Sequence, residues 1–172
     1  IARQREVSQT ETLKMCDAAV TISDGWKNEI EKAYDIKCEC IHNCTDFFSY
    51  TDDASVRKRA IELYNILNPD GAKLILFSGR LEQIKVQGLA KAYSDVADEI
   101  NAKLVIMGSS GGHDEMRKLL NWGLSREHID KVIFTGWIDG MSEKGRREIA
   151  AYYRMLSLSE SQPCGALVMP VR

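Results

Sequence analysis

Short, nearly continuous apolar runs alternate with helically spaced apolar positions along most of this chain, and that alternation predicts its architecture. Lys73 to Ser78, Lys103 to Gly108 and Lys131 to Thr135 each place three or four apolar residues in a row. Such runs suit strands buried on both faces. Met155 to Ser159 reads as a weaker fourth strand, and Gly165 to Met169 as a fifth. Between them lie helical patterns. Ala54 to Leu67 sets Val56, Ala60, Leu63, Tyr64 and Leu67 on one face, and Gly88 to Ile100 does the same with Leu89, Ala92, Tyr93, Val96 and Ile100. Glu115 to Trp122 and Arg146 to Tyr153 complete the series. Strands that alternate with helices of this length predict an α/β fold with a parallel sheet and right-handed crossovers.

The first fifty residues follow a different rhythm. Gln9 to Met15 predicts a helix, Ala18 to Ser23 a strand, and Asp24 to Tyr34 a helix capped by Ser23 or Asp24. A strand follows at Cys38 to His42, then a turn-prone stretch from Asn43 to Asp53. Asn, Asp and Ser cluster there just before a fresh strand-helix series, which predicts a domain boundary. The expected division is 1–45 and 46–172.

Composition removes some classes of function. The 172 residues carry a formal net charge of -2, so there is no basic excess of the kind that phosphate backbones demand and no nucleic-acid partner is expected. The basic clusters at Arg57 to Arg59 and Lys144 to Arg147 are flanked by acidic residues and read as solvated helix surface. No apolar run is long enough to span a membrane, and the N-terminus lacks the apolar core of a secretory signal. Five scattered cysteines, Cys16, Cys38, Cys40, Cys44 and Cys164, point to reduced thiols and a cytoplasmic location.

Cys38, Cys40, His42 and Cys44 are metal-ligand types in close succession. Along a straight strand, however, they form a row about 20 Å long, too extended to close a tetrahedron, so no metal site is expected. His42, His113 and His128 have no partner evident from sequence and receive no catalytic role. Trp26 and Trp122 read as core or half-buried anchors.

Ligands of open parallel sheets bind beyond the carboxyl ends of the strands. Ser78-Gly79-Arg80 ends the first such strand, with Lys85 five residues beyond the arginine. Gly108 opens the loop 108–112 after the second, Thr135-Gly136-Trp137 ends the third, and Ser159 ends the weak fourth, running through Gln162 to Gly165. An arginine fork and a mobile lysine suit phosphate oxygens, and amides around Gly165 suit them too if a helix starts there. An anionic ligand with a ring at one end fits this set. The dinucleotide fingerprint and the nucleophile elbow are both absent.

Taken together, these segments resemble the retaining group 1 (family four type) glycosyltransferases of two-domain GT-B fold. Cys16 to Ser23 is similar to a strand of that family, Ile41 to Asp46 to its interdomain linker, and Ser78 to Lys85 to its Gly-Arg-Leu…Lys segment. Leu104 to Gly108 and Val132 to Gly136 match its next two strands, and Ser159 to Gly165 is similar to its glutamate-bearing signature. The resemblance implies the end of an acceptor-side domain at 1–45 and a partial donor-side, Rossmann-like domain at 46–172. It implies glycosyl transfer from a nucleoside-diphosphate sugar with retention, as in carbohydrate biosynthesis. Arg80 and Lys85 would act on the donor diphosphate, with Gly79, Gly108, Thr135, Ser159, Gln162 and Gly165 around the donor.

No cofactor or obligatory metal is implied, the cationic groups standing in for one. The acceptor is a carbohydrate or lipid-linked molecule that the sequence does not specify, and peripheral membrane contact would run through parts outside this chain. Gln162 and Pro170 stand where the family has glutamates. The segment from Tyr153 to Ser159 is also shorter than in the family, and an incomplete chain is expected. The alternative is a non-catalytic nucleotide-sugar-binding or interaction module derived from the same fold. A sugar-nucleotide epimerase ranks third, because no carboxylate or histidine is evident for the sugar.

Overall fold

The computed structural model describes residues 10–43, 50, 52–108, 113–158 and 165–168. The chain divides into two compact units, Ile1–Asp46 and Phe47–Arg172. No helix among the described residues is long and apolar enough to cross a membrane.

In the first unit, residues 10–14 are helical, followed by strand β1 (Ala19–Thr21), helix α1 (Asp24–Tyr34) and strand β2 (Cys38–Cys40). β1 and β2 pair in parallel, Ala19 opposite Cys38 and Thr21 opposite Cys40. Both strands are shorter than the apolar runs suggest. Ser23 leaves the first to cap α1, its hydroxyl accepting from Trp26 N at 3.3 Å. Asp35 ends that helix in the left-handed region at φ 53°, and the Glu31 carboxylate accepts from Cys38 N at 3.0 Å, fastening α1 to β2. Trp26 is 61% exposed, so it is not the anchor its helical spacing suggests.

The second unit is a parallel α/β structure, as the alternation of patterns predicts. Its elements are α2 (Ala54–Leu67), β3 (Lys73–Ser78), α3 (Gln83–Val96), β4 (Ala102–Met107), α4 (His113–Asn121), a 3-10 turn (Arg126–Lys131), β5 (Val132–Gly136), α5 (Glu143–Met155) and β6 (Gly165–Val168). The four strands run in the order β5-β4-β3-β6, and every pairing is parallel. Successive strand residues point to opposite faces, so two cores form. Leu74, Leu76, Val105 and Met107 pack with α2 and α5 through Ala60, Leu63, Ala151 and Met155. Phe77, Leu104 and Ile106 pack with α3 and α4 through Val86, Tyr93 and Leu119.

Two expectations change here. Met155 to Ser159 is not a strand: Met155 closes α5, and residues 156–158 are turn and bend. Met155 follows Ala151 and Tyr152 at helical spacing and is buried with them, so the helical period wins over a short apolar run. The fourth strand of the sheet is instead Gly165–Val168, beside β3. Helix α3 also starts at Gln83, five residues before Gly88, because fully buried Val86 extends the stripe of Leu89, Ala90 and Tyr93.

His128 is buried, with Nε2 3.1 Å from Asp98 Oδ2 and its ring edge-on to Tyr93. It therefore has the carboxylate partner that the sequence did not reveal, in a packing role. Trp122 is half-buried against the same core.

Polar contacts tie α2 to α5. Arg59 makes a bidentate pair with Glu148, Nε to Oε2 at 3.0 Å and Nη2 to Oε1 at 2.8 Å. Asp53 caps α2, accepting from Ser55 N at 2.8 Å and Val56 N at 3.2 Å, and it also pairs with Arg147. The Ser55 hydroxyl, then the Arg147 guanidinium, hold the Asp53 carboxyl well below its ordinary 3.8. A folded value below the unfolded one means that the contribution is full above about pH 4 and fades as pH falls through the folded value. Asp53→Asn keeps the cap but loses the charge. Its melting temperature is expected to lie below the parent's at pH 7, with the gap closing as the pH is taken below about 4 in parallel thermal melts.

Candidate functional site

The order β5-β4-β3-β6 sends the chain outward from β3 through β4 to β5 and then back to the far side of β3. That reversal is a topological switch point, where the carboxyl ends of strands leave a crevice. A cleft of about 600 Å³ lies over the carboxyl ends of β3, β4 and β5, within the range of small-molecule sites. Its walls include Gly79, Arg80, Lys85, Gly108, Trp137 and Asp139. A smaller hollow of about 390 Å³ between α2 and α5 includes Arg59, Glu148, Glu143 and Arg147 in its lining. These four charges already pair with one another, so that hollow has less to offer a ligand.

The strand ends are stripped to backbone around the cleft. Gly79 N donates to Met107 O at 3.0 Å, and Gly108 N to Gly136 O at 3.2 Å, so β3, β4 and β5 stay joined up to their last residues. Gly108 has φ +98°, and a Cβ placed on it would sit 3.0 Å from Gly79 O. Only glycine meets both demands without strain. Ser78 is held from the helical layer, its Oγ 3.0 Å from the Tyr153 hydroxyl of α5.

Arg80 follows β3, and Lys85 lies in the first turn of α3. Glu82 stands between them, with one oxygen 3.5 Å from Arg80 Nε and the other 3.5 Å from Lys85 Nζ. It is the N-cap residue of α3 but makes no side-chain capping bond. The first-turn N–H groups of α3 therefore add positive potential at this edge without a side-chain acceptor. Glu82 escaped the sequence reading. Its position, two residues after Arg80 and three before Lys85, was the available signal, because i,i+3 neighbours meet on a helix. Trp137 is 71% exposed and lies on the cleft wall, not in a core.

Of the remaining expected donor contacts, the two among the described residues do not line the cleft. Thr135 is not among the residues lining the cleft, and its hydroxyl lies 3.2 Å from Gly136 O and 3.5 Å from Ile106 O. Gly165 opens a strand and not a helix. It is in register with Leu74, near the amino end of β3 and so about 13 Å along the strand from Ser78. A Cβ there would meet Leu74 O at 2.1 Å, so glycine serves close strand pairing. Ser159 and Gln162 lie outside the described residues.

The second unit is thus a parallel α/β domain with a cleft whose arginine and lysine suit an anionic ligand. No family profile matches the chain. The chain is similar to an uncharacterized glycosyltransferase of Methanocaldococcus jannaschii, 29% identical over 133 residues, which cover 75% of this chain and 33% of that protein's length.

Gly108→Ala is expected to lower stability by about 1–3 kcal/mol, from the positive φ and the close carbonyl together. Urea denaturation compared with Ala92→Ser, an exposed helical change, measures it.

Proposed function

We propose that the chain belongs to a retaining, two-domain glycosyltransferase and that the cleft holds its nucleoside-diphosphate sugar. The observation that carries this reading is the gathering of Gly79, Arg80, Lys85 and Gly108 around one cleft at the carboxyl ends of the strands, supported by similarity to a protein described as a glycosyltransferase. Arg80 and Lys85 bind the diphosphate and offset the charge that grows on it as the sugar bond breaks. Glu82 does not prevent this. Its contacts are long and Arg80 is 77% exposed, and such pairs are worth about 0–1 kcal/mol. Charge-assisted bonds to phosphate oxygens reach about 1.5–3 kcal/mol each. The exposed ring of Trp137 offers a face to the base or sugar, and the bare backbone at Gly79 and Gly108 permits close approach of the phosphates.

A second reading, a non-catalytic nucleotide-sugar-binding module, is favoured by Gln162 and Pro170 standing where the resembling family has glutamates. Turnover of a bound donor separates the two, since a module binds it without hydrolysis or transfer.

Calorimetric titration with UDP, GDP and ADP tests the site. One nucleotide is expected to saturate the chain, and Arg80→Ala combined with Lys85→Ala to weaken it at least about a hundredfold. Equal binding by parent and double variant would falsify the assignment.

A further inference from the structure

The carboxyl edge of the small β1–β2 pair gathers a second set of reactive side chains. Asp24, Cys40 and His42 offer a carboxylate oxygen, a sulfur and a ring nitrogen that lie within 4.8 Å of one another. His42 Nε2 is 3.4 Å from Asp24 Oδ2 and 3.7 Å from Cys40 Sγ. All three residues belong to the first unit.

The backbone explains why they meet. Thr21 lies opposite Cys40, and Ile41 N donates to Thr21 O at 2.8 Å, holding the two strand ends side by side. From one end, the Ser23 cap places Asp24 at the first position of α1. From the other, β2 stops at Cys40, and His42 returns toward its sulfur. Cys40 and His42 therefore do not lie in one straight strand, and the third donor comes from a helix.

The separations point to a shared ion. With zinc bonds of about 2.0 Å to nitrogen and oxygen and about 2.3 Å to sulfur, the edges of a tetrahedron are about 3.3 Å for N···O and about 3.6 Å for N···S. Asp24 and Cys40 flank the His42 ring at separations of that order, 3.4 Å and 3.7 Å, close enough for one ion to take all three donors once the exposed ring turns.

We propose that Asp24, Cys40 and His42 form a binding site for a zinc-class divalent cation, with water in the fourth position, that clips the end of β2 to the start of α1. Sγ lies 3.9 Å from Nδ1 as well as 3.7 Å from Nε2, so it is nearly equidistant from the two ring nitrogens. Ligation turns the imidazole, 66% exposed, until its Nε2 lone pair faces the ion. The positive end of α1 opposes a cation, but that effect is small beside a metal–thiolate bond. Thiolate, imidazole and carboxylate together select zinc or cobalt over magnesium and calcium, which take oxygen ligands.

The test titrates the chelator-treated chain with cobalt(II) and zinc(II). One cobalt ion per chain is expected to give a sulfur-to-metal charge-transfer band and tetrahedral visible bands, and zinc to raise the melting temperature. Cys40→Ser abolishes the charge-transfer band, while His42→Gln and Asp24→Asn weaken zinc binding by about tenfold or more. Cys16→Ser, an exposed thiol outside the cluster, leaves binding unchanged. Circular dichroism of each variant shows that its fold persists. Absence of the band, its survival in Cys40→Ser, or equal zinc affinity in all variants overturns the proposal.

Discussion

Everything in the second unit depends on burying both faces of β3 and β4. Leu74, Leu76, Val105 and Met107 face one way and Phe77, Leu104 and Ile106 the other, and all are essentially inaccessible to water. Neither face tolerates solvent, so helices must lie on both sides, and a parallel sheet with crossovers is the arrangement that supplies them. Each fully buried aliphatic side chain contributes about 1.5–3 kcal/mol relative to exposure. That outweighs the exposed ion pairs on the helices, which add alignment more than stability.

The same constraint places the chemistry. A parallel sheet aims all its strand ends at one edge, and a central strand can give that edge only backbone and loop residues. Hence Gly79, Gly108 and Gly136 close β3, β4 and β5, each at positive φ, and the charged groups arrive just after them, on the loop and the first turn of α3. The bidentate clamp of Arg59 on Glu148 and the Asp53–Arg147 pair hold α5 against α2. Through the Tyr153–Ser78 contact, α5 reaches the last residue of β3 at the cleft.

Much of this was legible because the central strands announce themselves. Runs such as Leu74 to Phe77 have no helical or alternating explanation, and they fall where the strands are. The errors share one cause, a local pattern overruled by a neighbour. Leu156 and Leu158 mimic an alternating strand, but Met155 packs with Ala151 and Tyr152, and the helix runs on to it. Gly88 looks like a helix start, yet it faces open space within α3. Its cost of about 1 kcal/mol is small beside the burial of Val86, Leu89 and Tyr93. The cleft was legible only in part. Arg80, Lys85, Gly79 and Gly108 follow from strand-end logic, whereas Gly165 opens the strand expected there and so lies near the amino end of β3, away from the cleft. Glu82 stands outside that logic, because the residues just after a strand end do not show which of them a helix start will bring together.

The two ligand-type clusters of this chain obey one rule. In both units the side chains meet because parallel strands deliver their carboxyl ends to a common edge, not because they are close in sequence. Asp24 and His42 are separated by a helix and a strand, yet they lie 3.4 Å apart. Arg80 and Gly108 are separated by α3 and β4 but share one cleft. Spacing along a single strand considers only ligands in one straight row, as for Cys38, Cys40, His42 and Cys44, and leaves out donors such as Asp24 that a second strand end supplies. The informative count starts afresh at each strand end, taking the few residues that follow each and asking what they make together. Applied to β1 and β2, that count unites Asp24 and His42 with Cys40 at the end of β2. Applied to β3, β4 and β5, it unites Arg80, Gly108 and Trp137. The first set has the donor atoms of a metal clip, and the second the fork, open backbone and ring that a phosphorylated ligand requires.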